Sequence, residues 1–139
     1  MKTSNRHSRG FSMIELMIVV VIISILAAIA VPSYRQYVLK GHRSEATRAL
    51  QDLASRQENY YFSNNEYTDN LADLGATDDM AGRYFTVAIA SASSTDYQVT
   101  ATARGTQTQD GGCTAFSLRR SGAKGSSGTA TADTCWGGH

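Results

Sequence analysis

One carboxylate, Glu15, sits in a run from Phe11 to Val31 that is otherwise almost entirely apolar. A charge deep in such a segment costs about 2.5–3.5 kcal/mol on membrane-insertion scales, so its chemistry must be that of a paired ion. Cys113 and Cys135 are the only cysteines. Without a CxxC motif they speak against zinc or redox chemistry, and in an exported chain an even count reads as one disulfide. Arg119, Arg120 and Lys124 lie between them, either as a solvated edge or as contacts for DNA phosphates, whose affinity would be modest and salt-sensitive. Asp69, Asp73, Asp78 and Asp79 crowd one short stretch. Their spacing fits no EF-hand loop, and solvated turn and cap residues explain them better than a calcium site. His7, His42 and His139 are scattered, and no HExxH, P-loop or GxSxG motif occurs. The sequence therefore predicts no catalytic centre, no metal and no cofactor: the chain is not expected to be an enzyme.

The elements that position these residues follow from how charge and hydropathy are distributed. The 139 residues carry a net charge of +1, with an apolar share of 42%. Met1–Gly10 holds Lys2, Arg6 and Arg9 and no acid; without it the thirteen basic residues fall to ten against twelve acidic ones. Twenty-one residues of helix are about 30 Å long, enough to cross a bilayer core. Basic residues ahead of the run put its start in the cytoplasm and the polar remainder outside. Three readings compete: a plain membrane anchor, a secretory signal cut after Ala28-Ile29-Ala30, and a short basic leader (residues 1–10) cut between Gly10 and Phe11. Neither of the first two needs Glu15.

Beyond the apolar run (residues 11–31), Pro32 removes a helical N–H and crowds the carbonyl of Ala28. The choice is a helix break or a kink, and a kink is expected because the helical pattern resumes. Ala46, Ala49, Leu50, Leu53, Gln57, Tyr60 and Tyr61 recur at spacings of three and four, marking one face of an amphipathic helix over residues 32–62. Glu45, Arg48, Asp52 and Arg56 alternate in sign on another face. Tyr60-Tyr61-Phe62 reads as core and its edge. Ser63-Asn64-Asn65 ends the helix, and residues 63–82 read as a connecting loop. Phe85, Val87 and Ile89 alternate as one strand; Tyr97, Val99, Ala101 and Ala103 form the next, with a hairpin turn between. Phe116 and Leu118 mark a third strand. Ser121–Gly128 reads as a loop, and Thr129–Trp136 as a weaker fourth strand. The expectation is an α+β head over residues 32–139, its helix packed on a small antiparallel β-sheet within residues 83–136.

Gly10-Phe11-Ser12-Met13-Ile14-Glu15-Leu16, the Ile/Val run and Ala27-Ala28-Ile29-Ala30-Val31-Pro32 together resemble the signal of type IV pilins. Arg43-Ser44-Glu45-Ala46, Arg56-Gln57-Glu58-Asn59-Tyr60-Tyr61, Tyr67-Thr68, Leu74-Gly75, Tyr97-Gln98-Val99-Thr100-Ala101 and Cys113…Cys135-Trp136 resemble the PilE/ComP-like minor pilins. Ser12, Met13 and Ser24 depart mildly from the commoner Thr, Leu and Gly. The resemblance implies the type IV pilin fold and cleavage after Gly10 by a prepilin peptidase that also N-methylates Phe11. It implies pairing of Glu15 with the new amine of Phe11 on a neighbouring subunit, which makes a costly buried carboxylate an assembly device. It also implies an inner-membrane precursor with a periplasmic head, handed by the pilus assembly machinery to a fibre of like subunits. Adhesion, twitching motility and pilus biogenesis are the implied roles. DNA uptake through Arg119, Arg120 and Lys124, or a pseudopilin of type II secretion, are the alternatives.

Overall fold

A computed structural model describes residues 10–137. The leader up to Arg9, with its cations and His7, lies outside the described residues, as does His139. One helix, α1 (Met13–Asn64), is followed by strands β1 (Phe85–Ala92), β2 (Tyr97–Ala103), β3 (Ala115–Arg119) and β4 (Lys124–Ser127), and by a short helical turn, α2 (Ala132–Cys135). The chain divides into two compact units between Arg35 and Gln36.

In the first unit α1 starts where Ser12 caps it. The Ser12 hydroxyl accepts the Glu15 N–H at 3.3 Å, and the Ser12 carbonyl accepts the Leu16 N–H. This Ser-x-x-Glu start is half of a capping box, and it puts the Glu15 carboxylate in the first turn, where the helix dipole favours an anion. Further along, the Ser24 hydroxyl donates to the Val20 carbonyl at 2.7 Å, which satisfies it within an apolar segment. Pro32 lies inside the helix, and the helix runs on through it, so the chain does not break at that point.

The second unit is the head. Ala46, Ala49, Leu50 and Leu53 of α1 are buried against Phe85, Val87, Tyr97, Val99, Ala101, Phe116 and Leu118 of the sheet. These sheet residues alternate with polar ones, as a sheet with one covered face requires. All four strands are antiparallel, in the order β1-β2-β3-β4. Buried Gln57 substitutes for a backbone ladder: its amide donates to the Thr68 carbonyl at 2.6 Å and accepts the Thr68 N–H at 3.2 Å. That pair holds the connecting loop on the helix. Tyr60 and Tyr61 are half-buried as core edge, whereas Phe62 is 90% exposed.

The fourth strand is not where the sequence pattern put it. It lies in the Gly/Ser stretch read as a loop, while Thr129–Trp136 holds α2, capped by Thr131, whose hydroxyl accepts the Thr134 N–H. The small residues have a packing cause. Gly125 faces Ser117 across the β3–β4 ladder, and a Cβ there would collide with the Ser117 hydroxyl. Gly128, at φ +127°, lies against the backbone of Gly112, a place only glycine can occupy. From there Thr129 and Ala130 donate to the carbonyls of Gly111 and Gly112, and Cys135 reaches Cys113, to which it is bonded.

Candidate functional site

The stem presents the first candidate. Phe11 is 78% exposed, and the side chains of α1 from Met13 to Val31 are exposed all round. This part is long and apolar enough to cross a membrane. Such a surface is stable only in lipid or against other stems. Among the described residues the Glu15 carboxylate has no ion-pair partner, so the stem carries a charge it does not itself neutralise. Gly10 and Phe11 precede the helix, so the bond between them lies in non-helical backbone.

The three cations between the cysteines do not form one patch. Leu118 is buried and Arg119 exposed, because successive strand residues point to opposite faces. Lys124 pairs with Leu118 and so shares the core-side face, with its ammonium 5.2 Å from the centre of the Trp136 ring. Arg120 follows the strand. Its Nε donates to the Tyr67 hydroxyl at 2.7 Å, and its guanidinium lies 5.9 Å from the Tyr67 ring centre. Only Arg119 lacks a side-chain partner among the described residues. All three cations are exposed, Arg119 on the outer sheet face and Arg120 and Lys124 beside the aromatic rings of Tyr67 and Trp136.

Two of the loop carboxylates, Asp73 and Asp79, accept hydrogen bonds from neighbouring side chains. Asp73 accepts from the Thr68 hydroxyl at 2.8 Å and from the Asn70 amide at 3.1 Å, while Asn70 caps the turn Leu71–Leu74. Asp79 accepts from the Thr77 hydroxyl. Among the described residues no three His, Cys, Asp or Glu side chains group as a metal site.

A buried polar strap had no signal in the sequence. Arg43 donates to both oxygens of Asp110, at 2.7 and 2.8 Å, with Asp110 buried. Burial pushes the Asp110 carboxyl up, but the Arg43 fork and the backbone N–H groups of Cys113 and Gly112 outweigh it and hold the carboxyl below its ordinary value. Fully buried Gln107 donates to the Leu39 carbonyl at 3.0 Å and to Asp110 at 3.3 Å. Its oxygen faces His42 Nδ1 at 3.0 Å, so that nitrogen carries the hydrogen. His42 in turn stacks on Tyr84 at 3.6 Å. The strap fastens the turn Gly105–Gln109, and through it the disulfide loop, to α1.

Residues 32–117 match the family model described as type IV minor pilin ComP, DNA uptake sequence receptor. Residues 5–31 match the prokaryotic N-terminal methylation motif. The type IV wide pilus major component PilA4 of Thermus thermophilus is 38% identical over 92 residues, covering 64% of this chain and 70% of that protein. Fimbrial protein EcpC of Eikenella corrodens is 37% identical over 98 residues, 70% of this chain and 64% of EcpC. The type IV major pilin protein PilA of Myxococcus xanthus is 39% identical over 80 residues, 58% of this chain and 36% of PilA. The chain thus matches from about a third to somewhat over two thirds of the length of these curated relatives.

Proposed function

This chain belongs to the type IV pilin family, and on that premise we propose that it is a minor subunit of a type IV pilus, structural rather than catalytic. A prepilin peptidase cuts it after Gly10 and methylates Phe11. It waits in the inner membrane with its head in the periplasm, and the assembly machinery then moves its stem from lipid into the fibre. The observation that carries this reading is Glu15, a lone carboxylate in the first turn of an exposed apolar stem. Neither a plain anchor nor a cleaved signal gains from it, whereas a polymer of stems does, because the amine freed at Phe11 supplies the missing cation on the next subunit. Glu15→Ala tests this. Membrane insertion should be retained, since a costly charge is gone, while the chain should be lost from sheared fibres. Normal incorporation of the variant would remove Glu15 from assembly.

DNA is a second reading, favoured by the match to the uptake-receptor model. Of the three loop cations, all exposed, Arg119 has no side-chain partner among the described residues. Fibres carrying the chain should bind duplex DNA at low salt, with affinity falling as salt rises. Arg119→Ala should flatten the salt slope by about one unit. A slope unchanged by that substitution would exclude Arg119 from contact.

A further inference from the structure

Ser12 stands where the apolar stem begins. Gly10, Phe11 and Ser12 are exposed and non-helical, and α1 starts at Met13. The Ser12 carbonyl accepts the Leu16 N–H at 3.2 Å, the first bond of the helical ladder, while its hydroxyl accepts the Glu15 N–H at 3.3 Å. A residue that stays outside the helix and takes the third helical N–H on its side chain is an N-cap. No Ser, Thr, Asn, Asp or Gly occurs from Met13 to Ile23, so nothing in that stretch can take over the start. Gly10, two residues before Ser12, can, because glycine caps a helix about as well as threonine does.

A start at Gly10 would change the bond beside it. The carbonyl of an N-cap residue accepts the first bond of the ladder, so the Gly10 carbonyl would take the Ile14 N–H. As the chain stands, that carbonyl accepts no backbone hydrogen bond among the described residues. Nor does any of their atoms, the chain neighbours aside, lie within 4 Å of where a Gly10 side chain would project. The Gly10–Phe11 bond is therefore open to attack.

We propose that Ser12 is a positioning residue for removal of the leader: its cap keeps the helix from running back over the Gly10–Phe11 bond. The inference rests on the reading of the chain as a pilin processed by a peptidase. In that cleavage water divides across the amide. Its hydroxyl joins the Gly10 carbonyl carbon as the C–N bond breaks, and its proton goes to the Phe11 nitrogen, which leaves as an amine. A carbonyl held in a helical ladder must first give up its N–H, and its neighbours must leave the helix, before a protease can grip extended backbone. Capping at Ser12 meets that requirement before the enzyme arrives. The cap engages the Glu15 N–H and not its carboxylate, so the carboxylate stays available for assembly.

The test uses the full precursor in detergent-solubilised membranes with limiting prepilin peptidase, and follows loss of the leader by mass spectrometry. Ser12→Ala should lower kcat/KM about fivefold, the usual weight of an N-cap. Ser12→Thr and Ser12→Gly, which both cap, should stay within about twofold of the native rate. Amide exchange gives a readout independent of the enzyme: the Ile14 N–H should gain protection in Ser12→Ala and not in the other two variants. An unchanged rate for Ser12→Ala overturns the proposal. So does Ser12→Gly as slow as Ser12→Ala, which would mean that the enzyme contacts the hydroxyl itself. A slow Ser12→Ala with no gain of protection at Ile14 overturns it too. In each of these cases cleavage after Gly10 still stands. A native precursor left uncut between Gly10 and Phe11 removes the processing reading and the role of Ser12 with it.

Discussion

Asp110 shows how one residue's charge ties the head to its helix. Its folded carboxyl is held below the ordinary value by Arg43. Such a group adds stability that is present above the unfolded carboxylate value, about 3.9, and lost as pH falls through the folded value. The full chain in detergent should therefore lose stability as pH drops below about 4. Asp110→Asn should flatten that slope and cost about 3 kcal/mol at neutral pH, because it leaves Arg43 largely buried without its counter-ion. Denaturant unfolding followed by the fluorescence of Trp136, the chain's single tryptophan, measures both. A variant with unchanged stability and unchanged acid slope would show that the pair contributes nothing. At this scale the sequence was informative where a residue broke its local pattern. Glu15 stands out because it is the only charge in the run from Phe11 to Val31. Asp110 and Gln107 were invisible because their partners, Arg43, Leu39 and His42, lie more than sixty positions away. The cap at Ser12 is written in Ser-x-x-Glu, but the apolar signal around it is far stronger.

At the scale of elements, periodicity served where one face is buried. The stripe from Ala46 to Gln57 and the alternation in β1 and β2 describe what the structure buries. β4 escaped because its residues are chosen for smallness against Ser117 and Gly112, which in sequence looks like a flexible loop. The three loop cations are spread over two faces for a related reason, since neighbours in sequence point to opposite sides of a pleated strand. The disulfide closes this weakest part. β4 and α2 lie within its loop, whose cysteines are 22 positions apart. Cross-linking a loop of that size stabilises by about 3 kcal/mol on chain-entropy grounds. Replacing both cysteines by Ser should lower the denaturation midpoint correspondingly. Exchange protection should be lost first in Lys124–Ser127, with the β1–β2 ladder retained. Equal loss of protection across all four strands would mean that the bridge supports the whole head rather than its last quarter.

For the whole molecule, the two units answer different physical demands. The stem has a surface that water cannot tolerate and a charge that lipid cannot. On the proposed assembly both are resolved beside other stems, once cleavage creates the amine at Phe11. The head must remain soluble and folded through that transfer with a small core, so it relies on a buried polar strap and a disulfide. Membership of the pilin family was legible because the stem's demands are written in consecutive residues. The arrangement of charge on the head was not, because charge patches are assembled by the fold. The most direct measurement is the mass of this chain recovered from sheared surface fibres. The account predicts that it is present there and begins at N-methylated Phe11. Absence from fibres, or a mature chain beginning at Val31, would contradict it.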